Sequence, residues 1–180
     1  ALHILLRQLP EHISAQLQRI AIDATSGTVL LCDDKLQPVS PALLYNDMRA
    51  HSQAEELKEL SPDGNIVCSA SSGLAKFLWL TQNIELQNAA HFLHQADWLS
   101  ALLSGSGGIS DYHNALKSGY DVEKLCWPAW IKQLPHSHLL PHVLPPGSLI
   151  DEINPLLAEH FNINRACTIH AGTTDSIAAF

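Results

Sequence analysis

Five short clusters in this 180-residue sequence carry side chains able to do chemistry. The first is Asp23-Ala24-Thr25-Ser26-Gly27-Thr28, set between the apolar runs RIAIDA and TVLLCD. A polar turn of this kind invites a phosphate-loop reading. However, the pattern G-x-x-x-x-G-K-[ST] is not met, because the turn has a single glycine and no lysine. A dinucleotide G-x-G-x-x-G is absent as well. A nucleophile elbow, G-x-S-x-G between strand and helix, fails too: Ser26 has glycine on one side only and two strands flank it. Two readings remain. One is a tight hairpin in which Asp23 and Thr25 bond their own backbone. The other is a polar floor for a hydroxylated ligand.

In YNDMRA, Asp47 and Arg49 stand two residues apart beside Asn46. Their forked groups suit a structural ion pair, or the hydroxyls of a polyol. In SDYHNALKSGYD, Asp111, Asn114 and Lys117 offer an acceptor, an amide and a cation within seven residues. The plain alternative is a solvated loop. In AGTTDSIAAF, Thr174 suits an N-cap and Asp175 suits the positive end of a helix. The chemical alternative puts Asp175 at the C-terminal end of a strand, where it takes a proton from an alcohol nucleophile. His136, His138 and His142 are close enough in sequence for a metal. With three prolines nearby and no obvious fourth ligand, they read as a solvated loop, and no metal site is assigned.

These groups need elements to hold them. Residues 3–18 have helical apolar spacing (Ile4, Leu5, Leu6, Leu9, Ile13, Leu17), broken by Pro10. RIAIDA and TVLLCD read as strands and DDKLQP as a turn. YNDMRAHSQAEELKEL passes from loop to helix, with Asp47 or Ser52 as cap, and SPDGN is a turn. The stretch from Ser69 to Gly105 reads as two helices. Ser71 or Ser72 opens the first; Ala96, Leu99, Leu102 and Leu103 form the apolar side of the second, and Gly105 ends it. GSGGISDYHNALKSGYD reads as a polar loop, and KLCWPAWIKQL as a short helix with Pro128 near its first turn. PHSHLLPHVLPPGSLI is extended, NPLLAEHFNI a helix, ACTIHAG a strand and TTDSIAAF a helix start. Strands and helices alternate at both ends of the chain around a helical middle. The fold class is α/β with a helical insertion.

Composition narrows the partners. The chain is 46% apolar, enough to build a core, and carries 18 acidic against 10 Lys and Arg residues. That balance argues against nucleic acid or an anionic membrane surface, while a phosphorylated ligand stays compatible. Cys32, Cys68, Cys126 and Cys167 are scattered, which fits a reduced, cytoplasmic setting better than a disulfide framework. No apolar run approaches the ~18 residues of a membrane span. The chain begins without Met in what reads as mid-helix and ends where a helix begins. It therefore reads as part of a longer protein, truncated at both ends.

Taken in order, these pieces resemble the FGGY family of carbohydrate kinases along most of the chain. IAIDATSGTVLLCDDKLQPVSPALLYNDMRA is similar to the family's strand-turn-strand followed by W-N-D-x-R-A, with Tyr45 in place of the usual Trp. LAKFLWL resembles its K-x-x-W-L helix, and ADWLSALLSGSGGISDYHNALKSGYD its D-(Y/W)-L…D-x-x-N/D-A segment. LPHVLPPGSLI resembles its L-P-x-V-x-x-P-G turn, and AGTTDSIAAF the segment carrying the catalytic aspartate. The D-A-T-S wording is closer to the ribulokinase and xylulokinase branches than to glycerol kinases.

The resemblance implies an RNase H-like, actin-like ATPase fold of two domains around a cleft. Sugar would lie on the first domain and Mg-ATP largely on the second. Residues 1–180 would then be most of the sugar-binding domain, with a phosphate-loop hairpin upstream and the ATP-binding domain downstream. It implies Asp175 as general base and Thr25, Ser26, Lys117, Asp23 and Asp111 as substrate-binding candidates. The expected activity is ATP-dependent phosphorylation of a ketopentose or related polyol, with the 180-residue piece inactive alone. A homodimer stays open. So do a non-catalytic sugar sensor on this fold and an actin-like nucleotide-binding protein.

Overall fold

The structure is a computed structural model and describes residues 1–61 and 67–180. The expected SPDGN turn lies, after Ser61, outside the described residues. In chain order come α1 (Leu2–Gln8), α2 (Glu11–Ser14), β1 (Arg19–Ala24), β2 (Val29–Cys32), α3 (His51–Leu60) and α4 (Gly73–Asn83). Next are β3 (His91–His94), α5 (Gln95–Ser104), β4 (Ile109–Asp111), α6 (Tyr112–Leu116) and α7 (Ala129–Lys132). A 3-10 turn at Ser137–Leu139 precedes β5 (His142–Leu144), β6 (Leu149–Glu152), α8 (Pro155–His160), β7 (Thr168–Thr174) and α9 (Asp175–Ala178).

The expected hairpin between RIAIDA and TVLLCD does not form. β1 instead lies parallel to β7, which carries β6 antiparallel on its other side. β2 pairs antiparallel with β3, and β4 pairs parallel with β5. The physical reason is burial. All four residues of β2 are buried and need cover on both faces: Val29 and Leu31 pack into the core with α3 and α4, and Leu30 and Cys32 pack with Leu93 and Ala101. Pairing with β3 puts Leu31 opposite Phe92, and Phe92 meets Phe77 of α4 edge-on at 5.1 Å. HFLH, read from sequence as part of a helical stretch, is therefore a strand. YHNAL, read as loop, is helix α6.

Local signals account for several ends. Pro10 separates α1 from α2 by occupying the N-cap of the second. Of the two serines considered for α4, Ser72 caps it, accepting from the Ala75 N–H at 3.1 Å. Gly105 ends α5 in the left-handed region at φ 87°. Neither Asp47 nor Ser52 caps α3; Ala50 holds that position without a side-chain bond. One core gathers α3, α4, β2 and β3 around Leu57, Leu74, Phe77 and Phe92. Another gathers Leu6, Leu103, Ile163 and Ile169 under β7. Among the described residues, no helix is long and apolar enough to cross a membrane.

Two features fix the parts that matter later. Opposite Ile22, β7 carries two residues, Ala171 and Gly172, so the register slips between Ala21 and Asp23. A Cβ on Gly172 would be driven into the Ile22 carbonyl. The second feature is Lys76 of α4, whose side chain is fully buried. Its Nζ donates to the carbonyls of Gly27 and Leu44, each at 2.7 Å, and of Tyr45 at 3.2 Å. One ammonium thereby ties the turn after β1 to the loop before α3 and to the helix beneath both. Burial pulls its pKa down to about 8, opposed by the charge of Asp47.

Gly172→Ala is expected to lower unfolding stability by about 2 kcal/mol or more, read by urea denaturation; an unchanged midpoint would contradict the bulge. Lys76→Met strands three main-chain carbonyl acceptors, one of them in a fully buried bond. It should cost about 3 kcal/mol or more, since each unsatisfied group costs about 1–3 kcal/mol. The pH dependence follows from the sign of the shift. An unfolded lysine titrates near 10.4. Between about 8 and that value the unfolded chain therefore binds the extra proton, and stability contributed at Lys76 rises with pH. Unfolding curves of wild type and Lys76→Met across this range should converge or diverge accordingly: the wild type gains relative to the variant, and a loss would contradict the assignment.

Candidate functional site

Parallel strands tend to carry ligand sites beyond their C-terminal ends. Here Ala24 of β1 stands opposite Thr174 of β7. The residues that follow them, Thr25 and Asp175, therefore leave the sheet side by side. Asp175 is exposed and opens α9. Its Oδ1 accepts from the Ser176 N–H at 2.7 Å, and among the described residues it has no ion-pair partner. Thr174 sits at the N-cap as expected, but its hydroxyl contacts Ser176 Oγ at 3.2 Å and caps no backbone group. The carboxylate is thus left open to solvent and to a ligand.

From Thr25 the chain runs through Ser26 to Gly27, which turns in the left-handed region at φ 75°. The expected local bonds of Asp23 and Thr25 to their own backbone are not what holds this turn. Lys76 holds it from below through the Gly27 carbonyl, and Thr28 Oγ1 accepts from the Tyr45 N–H at 3.0 Å. Ser26 and Gly27 then form one wall of a cavity of about 290 Å³, completed by Tyr45, Ser69, Ser71, Ser72 and Lys117. The lining is hydroxyls and one ammonium, with no carboxylate. Ser69 and Ser71 share a hydrogen bond at 3.0 Å. Lys117 is anchored through its backbone: the Gly73 N–H donates to its carbonyl at 2.8 Å. Gly73 permits this approach, because a Cβ there would collide with Ser118 Oγ. Such a cavity can bind a neutral, oxygen-rich molecule.

The structure brings four of the six predicted site residues to this edge. Ser26 and Lys117 share the cavity, while Thr25 and Asp175 follow the paired strand ends Ala24 and Thr174. Asp23 lies opposite Thr173, exposed, one residue before the buried Ala24. Asp111 is elsewhere. It is 1% exposed, and its carboxylate accepts from the His113 N–H (2.8 Å), the Asn114 N–H (3.2 Å) and Asn114 Nδ2 (2.6 Å). It caps α6 and does not line the cavity. The solvated-loop reading of this segment is corrected by that burial. Beside it, Asp97 is buried in α5 with its pKa pushed up by burial and by the charge of Asp111. His94 is buried with its pKa lowered to about 3, chiefly by burial, so its ring is neutral.

Asp47 and Arg49 form the ion pair. Arg49 Nε reaches both carboxylate oxygens at 3.0 Å, and the guanidinium lies 5.0 Å over the Trp79 ring. That pairing holds Asp47 below the usual carboxylate range. His136 and His138 are neighbours, with ring centroids 6.2 Å apart. Among the described residues no three His, Cys, Asp or Glu side chains converge as a metal site. Sequence reasoning missed the serine wall, Tyr45 and Lys76 as a group. The signals were present: the run SASS, and a lone lysine inside the apolar helix LAKFLWL.

Known proteins place this geometry. The model of the FGGY family of carbohydrate kinases, N-terminal domain, matches residues 1–180. A xylulose kinase of Lactococcus lactis subsp. lactis (strain IL1403) is 27% identical over 176 residues, covering 91% of this chain and 34% of its own length. The ligand-bound xylulose kinase structure from Lactobacillus acidophilus superposes with a TM-score of 0.82 at 15% identity, covering 98% of this chain and 38% of that one. The Plasmodium falciparum glycerol kinase structure with ADP gives a TM-score of 0.82 at 18% identity, covering 99% and 39%. The chain thus spans about a third of the length of the curated relatives it matches. Its fold is the α/β, RNase H-like, actin-like ATPase fold of the sugar kinases. With its whole length matched, the chain belongs to the FGGY family of carbohydrate kinases, as that family's N-terminal domain.

Proposed function

We propose that this chain supplies the sugar-binding half and the general base of an ATP-dependent kinase acting on a ketopentose or related polyol. The observation that carries the reading is the β1–β7 register. It sets Asp175 beside Thr25, a residue away from the hydroxyl-lined cavity that Ser26 and Lys117 share. A sugar seated with one end in the cavity presents its other end to Asp175. Lys117 and the serine hydroxyls give and take hydrogen bonds from the sugar oxygens. Asp175 takes the proton of the terminal hydroxyl as that oxygen attacks the γ-phosphoryl group of ATP, whose bond to the bridging oxygen breaks to release ADP. Such a base contributes about 10²–10⁴-fold, and holding the sugar in line supplies much of the rest.

Among the described residues no three His, Cys, Asp or Glu side chains cluster for a metal, and none is assigned to Mg-ATP. Nucleotide binding is left to a partner domain, and the 180-residue chain alone is proposed to be inactive. The choice of a ketopentose rests on the xylulose kinase relatives, since glycerol and gluconate kinases share the fold. Four free cysteines suit a cytoplasmic setting.

In a complete enzyme carrying this chain, Asp175→Asn should lower kcat by about 10²–10⁴-fold, with sugar affinity by calorimetry within about threefold. Turnover within a few-fold of wild type would make Asp175 a helix-opening residue only. Lys117→Met should raise the sugar KM by about tenfold or more, as loss of a charged hydrogen bond does; an unchanged KM would remove the cavity from the sugar site. ATP-dependent phosphorylation of any pentulose by the 180-residue chain alone would overturn the division of labour.

A further inference from the structure

β7 is held unevenly along its length. On the β1 side, pairing continues to Thr174. On the β6 side, the last backbone bonds are those of Ala171, which donates to the Ser148 carbonyl and accepts from the Gly147 N–H, both at 2.8 Å. Among the described residues, Gly172, Thr173 and Thr174 have no hydrogen-bonded strand neighbour on that flank. This is the stretch that delivers Asp175. Thr174, at the N-cap of the helix that Asp175 opens, makes no side-chain cap bond to it.

Beyond Ala171, β7 is packed by α6 and β4. His113 Nδ1 lies 2.7 Å from Thr173 Oγ1. The position of His113 is fixed in turn by the buried Asp111, which holds the His113 and Asn114 backbone N–H groups and the Asn114 amide. Asp111 Oδ1 also lies 3.9 Å from His113 Nδ1. A hydroxyl both gives and takes a hydrogen bond, so the Thr173 contact persists in either state of the ring.

We infer that His113 is a positioning residue for the transfer step: through the Thr173 side chain it braces the end of β7 and sets the direction in which Asp175 leaves the strand. The inference rests on the reading of Asp175 as general base. It also gives the aspartate of SDYHNAL a task at one remove from the sugar. Small displacements are costly at this point, since a misplacement of about 1 Å at a reacting group costs on the order of 10²-fold in rate.

The test uses a complete enzyme carrying this chain, with Asp175→Asn run alongside. His113→Ala is expected to lower kcat by about 10–100-fold while sugar KM and Kd stay within about threefold. His113→Gln, whose amide can still meet the Thr173 hydroxyl, should restore most of the loss. Thr173→Val should reproduce the His113→Ala defect, and the double variant should be no worse than either single one. Thr173→Val, nearly isosteric, serves alone if His113→Ala does not fold. If Asp175→Asn abolishes turnover while Thr173→Val or His113→Ala leaves kcat within threefold, the brace is overturned and the base stands. A defect that appears in KM and not in kcat, or that adds in the double variant, also overturns it. If Asp175→Asn itself turns over normally, the base reading falls and the brace with it.

Discussion

A single buried ammonium organises this domain. Lys76 has no exposed surface and makes no ion pair among the described residues; its hydrogen bonds go to three main-chain carbonyls. Burying a charge is expensive unless its donors are matched, and here all three N–H groups of the ammonium find acceptors. The carbonyls come from two segments that would otherwise be independent loops, the turn at Gly27 and the approach to α3 at Leu44 and Tyr45. The lysine therefore converts two flexible connections into one wall. That wall carries Ser26 and Tyr45, and so half of the cavity.

The second constraint is strand order. β1 and β2 are adjacent in sequence, yet each finds its partner far along the chain. The turn between them is thus a crossover from one sheet to another and not a hairpin tip. Its polar residues sit where two layers part, which leaves room for a ligand beside them. The parallel β1–β7 register then brings the Asp175 carboxylate beside Thr25, at the start of that turn. Gly172 is what allows the two strands to close to this distance.

Much of this was legible in the residues. The apolar runs RIAIDA and ACTIHAG announced β1 and β7, and Gly105 and Ser72 marked helix ends through conformational preference and capping. Ser26, Lys117, Thr25 and Asp175 could be singled out by type and place. Pairing was not legible, because which strand covers a fully buried run depends on surfaces supplied from elsewhere. HFLH was hidden for the same reason: four half-apolar residues between two helical patterns carry no period of their own. Asp111 shows a different limit. Its type fits a ligand contact and a helix cap equally, and only its burial against the α6 backbone separates them.

The central claim is that the Ser26–Lys117 cavity and Asp175 belong to one sugar site. A crystal structure of a complete enzyme carrying this chain, with a pentulose bound, tests it most directly. The sugar should lie with one end among Ser26, Ser71 and Lys117. Its terminal hydroxyl should fall within about 2.6–3.2 Å of the Asp175 carboxylate. A sugar bound away from the cavity, or one whose hydroxyls all lie beyond reach of Asp175, would contradict the account.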